Sequence, residues 1–103
     1  MTPTQRSLKH LRDAGYLAEV VEKWVPGANI RRDLFGFVDV LAIREGEVLG
    51  VQATSRDNVS SRVAKIADHP NVSHVRKAGI RLEVHGWGKM ASGRWELRCV
   101  DVS

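Results

Sequence analysis

The chain has 103 residues, of which 43% are hydrophobic and 27% are charged, so we expect one small domain, residues 1–103, with a single core. Sixteen lysines and arginines against twelve acidic residues give a formal net charge of +4, which fits a polyanionic partner without requiring one. No apolar run reaches the roughly 18 residues of a membrane span, the N-terminus lacks the apolar core of a signal peptide, and the single cysteine cannot form an internal disulfide. We therefore expect a cytoplasmic protein without a membrane segment.

The first part of the chain is predicted to contain a helix and a strand. Residues 4–14 have two leucines three positions apart among polar residues, which predicts a short amphipathic helix. Thr2 or Thr4 can act as its N-cap, and Gly15 is placed to end it. Residues 17–25 alternate imperfectly and are rich in valine, so we predict a strand, although part of this run could prolong the helix.

Two apolar runs in the middle of the chain are predicted to be the central strands. A loop with proline, glycine and asparagine at residues 26–29 precedes them. Residues 37–43 are almost entirely apolar, and residues 48–51 form a second apolar run that ends in polar residues. Gly46 lies in the REGE segment between the runs, which predicts a hairpin turn and antiparallel pairing.

The second half of the chain is predicted to contain two helices and two strands. A helix begins after Asp57 or Asn58, either of which can cap it, continues with apolar residues at helical spacing, and ends before Pro70. The remaining elements are a short helix at 72–78, a half-buried strand at 80–85, a glycine-rich mobile or binding loop at 86–93, and a strand at 95–102.

The predicted order of elements is α-β-β-β-α-β-β. A helix separates the third strand from the fourth, so that connection can be a right-handed crossover that makes a parallel pair beside the antiparallel strands. We therefore expect an α/β fold with a mixed sheet of about five strands and flanking helices. Gln52 and Thr54 are two positions apart on one strand and should share a face.

Asp39 lies inside a predicted buried strand, where a carboxylate is costly. Removing it from water without a partner costs several kcal/mol or shifts its pKa, so Asp39 should meet a cation, a donor network or a metal. One interpretation is that Asp39 caps a bend or pairs with an arginine. The other is a functional site, because Asp33 lies just upstream and the neighbouring strand ends in polar groups.

This arrangement, an acid in an apolar strand and two polar residues 13 and 15 positions later with a helix behind, resembles the PD-(D/E)XK nuclease superfamily. Within it, the chain is similar to archaeal Holliday junction resolvases and phage-encoded resolvase-like nucleases over residues 4–86. The resemblance implies a restriction-endonuclease-like fold in which two acids hold a divalent metal and a lysine positions or activates water. Asp39 matches the first acid, Gln52 stands at the second acid, and Thr54 stands at the lysine.

The chain departs from the family pattern at several positions. Gln52 offers a neutral oxygen where a carboxylate would carry charge, and Asp33 could compensate as an additional metal ligand. The family often has an acid on the first helix, whereas here Glu19 and Glu22 come later and could approach the site only if that helix were longer than predicted. Lys65, on the following helix, could replace the missing lysine, or it could simply be solvated.

Several basic residues are candidates for phosphate contact, although solvation is the simpler interpretation for any one of them. The candidates are Arg31, Arg32, Arg56, Arg62, Lys65 and Lys89. Trp87 and Trp95 flank Lys89 and could stack on bases, with core packing as the alternative for Trp95. Cys99 lies in an alternating apolar run and is expected in the core. The four histidines lack zinc-ligand spacing with a cysteine pair and are expected to be surface or internally satisfied residues.

These features leave three hypotheses about function. The first, implied by the resemblance, is a DNA-binding endonuclease dependent on Mg²⁺ or Mn²⁺ that recognises structure rather than sequence, such as branched DNA, and that could form a homodimer. The second is the same fold with the metal site lost, acting as a nucleic-acid-binding or protein-binding module. The third is an inhibitor or structural phage protein, because fold does not fix function.

Overall fold

The computed structural model describes residues 1–103 and shows a mixed α/β fold. The helices are α1 (Pro3–Asp13), α2 (Val59–Ala67), which follows a 3₁₀ turn (Arg56–Asn58), and α3 (Val72–Lys77). The strands are β1 (Leu17–Val20), β2 (Lys23–Val25), β3 (Ile30–Arg32), β4 (Val40–Arg44), β5 (Glu47–Ser55), β6 (Arg81–Lys89) and β7 (Trp95–Asp101). No helix is both long enough and apolar enough to cross a membrane.

Five strands form one mixed sheet in the order β1-β4-β5-β6-β7, and β2 and β3 form a separate two-stranded hairpin. The β1–β4, β4–β5 and β6–β7 pairs are antiparallel, whereas β5 and β6 are parallel. The parallel pair is the one connected through α2 and α3, as expected because parallel strands need a crossover connection. The predicted mixed sheet of five strands with flanking helices is therefore confirmed, and the hairpin is an addition to it.

Both faces of the sheet are covered by helices, which produces two apolar clusters. On one face, Leu8 and Leu11 of α1 pack with Leu49 of β5. On the other face, Ile66 of α2 packs with Leu82 of β6. A sheet covered on both sides explains why its central strands are almost continuously apolar in sequence.

Two local predictions from turn and capping chemistry are confirmed. Helix α1 has Thr2 as its N-cap, with the Gln5 amide donating to the Thr2 hydroxyl at 3.1 Å. The β4–β5 hairpin closes between Arg44 and Glu47, and Gly46 has a positive φ of 72° that favours glycine in such a turn.

The segment before the central strands differs from the prediction. Residues 17–25 do not form one strand, because only Leu17–Val20 pairs with β4, and the chain then leaves the sheet. Residues 23–25 pair instead with residues 30–32, a segment after the predicted loop for which no strand was predicted. The predicted strand at 37–43 begins only at Val40, since the residues before it are in turns.

The predicted glycine-rich loop at 86–93 was also wrong. Strand β6 continues to Lys89, and the connection to β7 is only residues 90–94. Gly86 and Gly88 serve close packing, because a Cβ at Gly86 would collide with the side chain of Val59, and a Cβ at Gly88 would lie 2.6 Å from Arg56 Cζ. These glycines let the 3₁₀ turn and α2 approach the sheet.

Two further predictions in the second half were wrong in detail. Neither Asp57 nor Asn58 caps α2 through its side chain, and the Asn58 amide group donates to the Ser55 hydroxyl instead at 3.0 Å. Cys99 is exposed and not in the core, because β7 is the edge strand and has a sheet neighbour on one side only.

Candidate metal centre

Asp39 lies at a break in the strand pairing immediately before β4. Its amide donates to the Val51 carbonyl at 2.8 Å, and its carbonyl accepts from the Val21 amide at 2.8 Å. The register also pairs Val40 with Val51, so two consecutive residues face one residue of β5, which is the arrangement of a β-bulge. Such a bulge changes the direction of the side chain at the break. This explains how the polar side chain of Asp39 is accommodated among apolar neighbours in the sequence.

The Asp39 carboxylate has a backbone donor as its partner and no arginine. Its Oδ2 atom accepts a hydrogen bond from the Ala53 amide of β5 at 2.8 Å, and the residue is only 5% exposed. No ion pair of the protein includes Asp39. The interpretation of Asp39 as an arginine partner is therefore wrong.

Two further carboxylates reach Asp39 from the β2–β3 hairpin and its connections. One oxygen each from Glu22, Asp33 and Asp39 lie within 4.8 Å of one another. Glu22 lies between β1 and β2, and Asp33 directly follows β3, so the hairpin delivers both. A longer first helix is not needed for Glu22 to approach, contrary to the sequence argument, whereas Glu19 stays on β1 with its oxygen 3.8 Å from Arg12.

Burial and neighbouring charge both change the acidity of Asp39. Burial, the largest cause, acts together with Asp33 and Glu22 to raise the pKa of Asp39 to about 8, although the hydrogen bond from the Ala53 amide opposes this shift. Without a cation, the carboxyl group is therefore largely protonated at neutral pH. A divalent cation would reverse this, because its charge favours ionised carboxylates.

Gln52, on β5, has a buried side-chain oxygen without a hydrogen-bond partner. Its neighbours on β5 contact Asp39 directly, since the Val51 carbonyl and the Ala53 amide both bond to that residue. The Gln52 Oε1 atom is buried and has no hydrogen-bond partner, which costs about 1–3 kcal/mol if nothing binds it. Carboxylate and amide oxygens are the ligands that hard divalent cations prefer, so these residues fit Mg²⁺ or Mn²⁺.

The position of the family lysine carries no positive charge. Thr54 is 6% exposed and lies on the same face of β5 as Gln52, as predicted from their spacing. Lys65 is exposed on α2 and forms no ion pair. The basic side chain in ion-pair contact with the carboxylates is Arg31, which lies 3.4 Å from Glu22.

The other candidate basic residues are distributed over the surface. Arg56 packs over Gly88 and lies 3.9 Å from Glu96, so it belongs to the β6–β7 side. Three candidates have no carboxylate partner, namely Arg32, Arg62 and Lys89. A surface cleft lined by Glu22, Arg31 and Trp24 also contains the first residues of α1, so the centre has an opening beside a helix N-terminus.

Three of the aromatic and histidine residues considered in the sequence contact side chains of α1. Trp87 is half-buried and donates its indole N–H to Ser7 Oγ at 2.9 Å. Trp95 is exposed, and the Arg6 guanidinium lies 3.7 Å from its ring centre, so it is not a core residue. His85 is buried with hydrogen-bond partners, as expected for a satisfied histidine.

Sequence reasoning gave Glu22 a place in the site only through a longer first helix, which the structure does not have. The available signal was a carboxylate between two short valine-rich runs, because a charged residue at that point indicates a break in the strand. In comparisons with known proteins, no family model matches the chain and no curated protein matches its sequence.

Proposed function

We propose that this protein is a metal-dependent nuclease of the PD-(D/E)XK type that binds DNA and hydrolyses phosphodiesters, with branched DNA as its substrate. The observation that carries the proposal is the group of carboxylates from Glu22, Asp33 and Asp39. The buried Gln52 oxygen without a partner is a further potential ligand. The order of elements supports it, because the bulged acid strand, the following polar strand and the crossover helix occur in the sequence expected for that family.

The chain itself would hold the metal with Asp33, Asp39 and Gln52, and with Glu22 as a further ligand. When bound, Mg²⁺ or Mn²⁺ neutralises charge on the phosphate and lowers the pKa of a water molecule. The Ala53 amide fixes one oxygen of Asp39, which leaves the other free to bind a cation. Thr54 supplies no positive charge, so the transition state would have less electrostatic stabilisation than with the family lysine.

DNA would approach through the cleft at Glu22. Arg31 borders this cleft together with the N-terminal turn of α1, and both favour a phosphate. The net charge of +4 favours DNA in general, and the shape of a branch rather than base sequence would determine specificity. Cleavage of both strands of a junction requires two active sites, so we include a homodimer in the proposal, and the reducing cytoplasm as its compartment.

A catalytically degenerate binding module on the same fold is the second candidate. The observation that favours it is the pair Gln52 and Thr54, both buried, at the positions of the acid and the lysine. Lys65, which could have replaced the lysine, is exposed and makes no contact with the carboxylates. In this case DNA or protein binding would remain without hydrolysis.

Cleavage of branched and linear duplexes with Mg²⁺ or Mn²⁺ separates the two candidates. The proteins to compare are wild type, Asp39→Ala, and the double variant Gln52→Glu with Thr54→Lys, with exposed Asp57→Ala as the matched control. A nuclease cleaves as wild type and as Asp57→Ala, and loses activity with Asp39→Ala. A binding module is inert as wild type, and the double variant gains metal affinity and cleavage together. Cleavage that survives Asp39→Ala would place the active site elsewhere.

A further inference from the structure

A second group of potential metal ligands lies on strands β6 and β7, outside the carboxylate centre. One ligand atom each from Glu83, His85 and Cys99 lie within 4.8 Å of one another. His85 and Cys99 are directly opposite in the antiparallel register, and Glu83 is two residues before His85 on the same face. A carboxylate, an imidazole and a thiol therefore converge from two adjacent strands.

The imidazole of His85 is held in one orientation by α1. Its Nδ1 atom lies 2.9 Å from Ser7 Oγ, and Ser7 in turn accepts the indole N–H of Trp87 at 2.9 Å. Because the indole can only donate, the Ser7 hydroxyl is free to donate to Nδ1. His85 is 1% exposed, and its Nε2 atom points toward Glu83 Oε1 at 3.0 Å. The ring therefore presents Nε2 to the cluster.

Glu83 is the anion at the centre of this group. Its Oε1 atom faces His85, and its Oε2 atom lies 3.3 Å from the Arg81 guanidinium. The hydrogen bond from His85 lowers the pKa of Glu83, although partial burial opposes it, and contacts with Cys99 and Arg81 lower it further. Burial, together with the Glu83 carboxylate, raises the pKa of the Cys99 thiol to about 12. In the metal-free protein, protons on Nε2 and on the thiol therefore both point at one carboxylate.

We propose that Glu83, His85 and Cys99 form a second divalent metal site with the ligand set of zinc. Zn²⁺ binds nitrogen at about 2.0–2.1 Å and thiolate sulfur at about 2.3 Å in a tetrahedron, which places ligand atoms about 3.3–3.6 Å apart. Without a metal, the three ligand atoms lie within 4.8 Å of one another, which is close to that range. On binding, the thiol proton leaves to solvent, and the imidazole proton moves from Nε2 to Nδ1 by exchange with solvent, so that Nε2 is free for the metal and Nδ1 donates to Ser7 Oγ.

The chemistry of this site differs from that of the carboxylate centre. The Glu22, Asp33 and Asp39 group offers only oxygen, which suits hard cations, whereas imidazole and thiolate favour zinc and cobalt. The two groups are also carried by different elements, since the second group lies on β6 and β7, whereas the carboxylates come from the β2–β3 hairpin and the residue before β4. Three protein ligands leave a fourth position for water or an external ligand, and exposed Cys99 gives access from solvent.

Cobalt provides the test, because thiolate bound to Co²⁺ gives a charge-transfer absorption that oxygen ligands do not give. Wild type should bind one equivalent of Co²⁺ with this absorption, and Zn²⁺ should displace it. Cys99→Ser, a change at an exposed position, should lose the absorption and bind at least tenfold more weakly. Ser7→Ala should keep the absorption with weaker binding, because Ser7 orients His85. Asp39→Asn, the control for the carboxylate centre, should behave as wild type.

The single cysteine makes the second measurement unambiguous. Zn²⁺ should slow modification of Cys99 by a thiol reagent in wild type and in Asp39→Asn, whereas Mg²⁺ should not. The proposal is overturned if wild type gives no thiolate absorption, if Cys99→Ser in the Asp39→Asn background binds Co²⁺ as tightly as Asp39→Asn alone, or if Zn²⁺ leaves the thiol equally reactive. None of these results depends on whether the protein cleaves DNA.

Discussion

The Oδ2 atom of Asp39 accepts a hydrogen bond from the backbone amide of Ala53 at 2.8 Å, across the break between β4 and β5. This bond gives the Ala53 amide of β5 a hydrogen-bond acceptor at the point where the pairing of β5 with β4 ends. The same carboxyl group is buried beside two other acids. The hydrogen bond from Ala53 therefore favours its ionised form, whereas burial and the neighbouring carboxylates disfavour that form. The bond survives protonation of the other oxygen, but the ionised form is disfavoured without a cation.

The first prediction concerns the stability of the metal-free protein as a function of pH. Burial raises the folded pKa of Asp39 from 3.8 to about 8, so between these values the folded protein holds a proton that the unfolded chain has released. The free energy of unfolding therefore falls as pH rises through this window, by up to about 1.4 kcal/mol per pH unit from this group. Asp39→Asn removes this slope, and it should stabilise the protein more at pH 8 than at pH 5.

Thermal melts in chelator at these two pH values measure the effect. Asparagine can still accept the Ala53 amide through its carbonyl oxygen, so the structural bond is kept. Asp57→Asn, at an exposed position, is the matched control and should change little at either pH. A clear fall in melting temperature for Asp39→Asn at pH 8 would instead identify the ionised carboxylate as a stabilising group.

The second prediction concerns Gln52 and gives opposite effects without and with metal. Gln52→Met keeps an unbranched side chain of similar size and removes the buried oxygen that has no partner, so it should stabilise the metal-free protein by about 1 kcal/mol or more. Mn²⁺ should raise the melting temperature of wild type, because a ligand bound to the folded state stabilises it by about 2.7 kcal/mol at a hundred times its Kd. The increase should be smaller in Gln52→Met.

Melts of both proteins across a Mn²⁺ series, with chelator as the zero point, provide the measurement. Thr54→Val changes a neighbouring buried position without removing a proposed ligand and should keep the Mn²⁺ response of wild type. An equal Mn²⁺ response in wild type and Gln52→Met would remove Gln52 from the ligand set.

The sequence was sufficient for the sheet and for part of the site. Apolar runs and the REGE turn predicted the β4–β5 hairpin, and the intervening helix predicted the parallel β5–β6 pair, because both depend on local chemistry and connection length. The sequence predicted only part of the cluster of three carboxylates. Asp33 and Asp39 are close in sequence, but Glu22 arrives through the β2–β3 hairpin, which forms only when residues 23–25 pair with residues 30–32.

The long-range contacts of β6 had no local signal. The glycines at 86 and 88 resemble those of a loop, and the packing of α2 against the strand that requires them is visible only in three dimensions. Similarly, Ser7 and His85 are 78 residues apart, so no spacing rule could join them. Cys99 has the alternation of a core residue but lies on the edge strand, since strand order within a sheet is not encoded in periodicity.

The third prediction tests the close packing at Gly86. Gly86→Ala places a methyl group against the side chain of Val59, and overpacking of this kind typically costs about 1–3 kcal/mol. Val59→Ala removes the colliding group, so the Gly86→Ala change should cost less in that background, although the Arg56 Cα would still lie 3.1 Å from the new Cβ. Urea unfolding of wild type, both single variants and the double variant gives the coupling free energy. Simple additivity of the two changes would contradict the packing argument.

The fourth prediction concerns DNA affinity and its dependence on salt. The net charge of +4 and the basic residues without carboxylate partners predict weak, sequence-independent binding to duplex DNA, with a Kd of about 10⁻⁴ to 10⁻⁶ M at physiological salt.

Arg31→Ala should weaken binding and reduce the slope of log K against log salt by about 1, because it would remove one proposed phosphate contact at the cleft. Arg44→Ala is the matched control, since Arg44 pairs with Glu47 and stacks on Tyr16 away from that cleft. Gel shifts over a series from about 50 to 200 mM salt provide the measurement, in chelator and with Asp39→Asn, which removes a proposed metal ligand, so that the DNA stays intact. Binding that is absent at low salt, or that does not change across this series, would remove nucleic acid from the function, whatever metal the carboxylates hold.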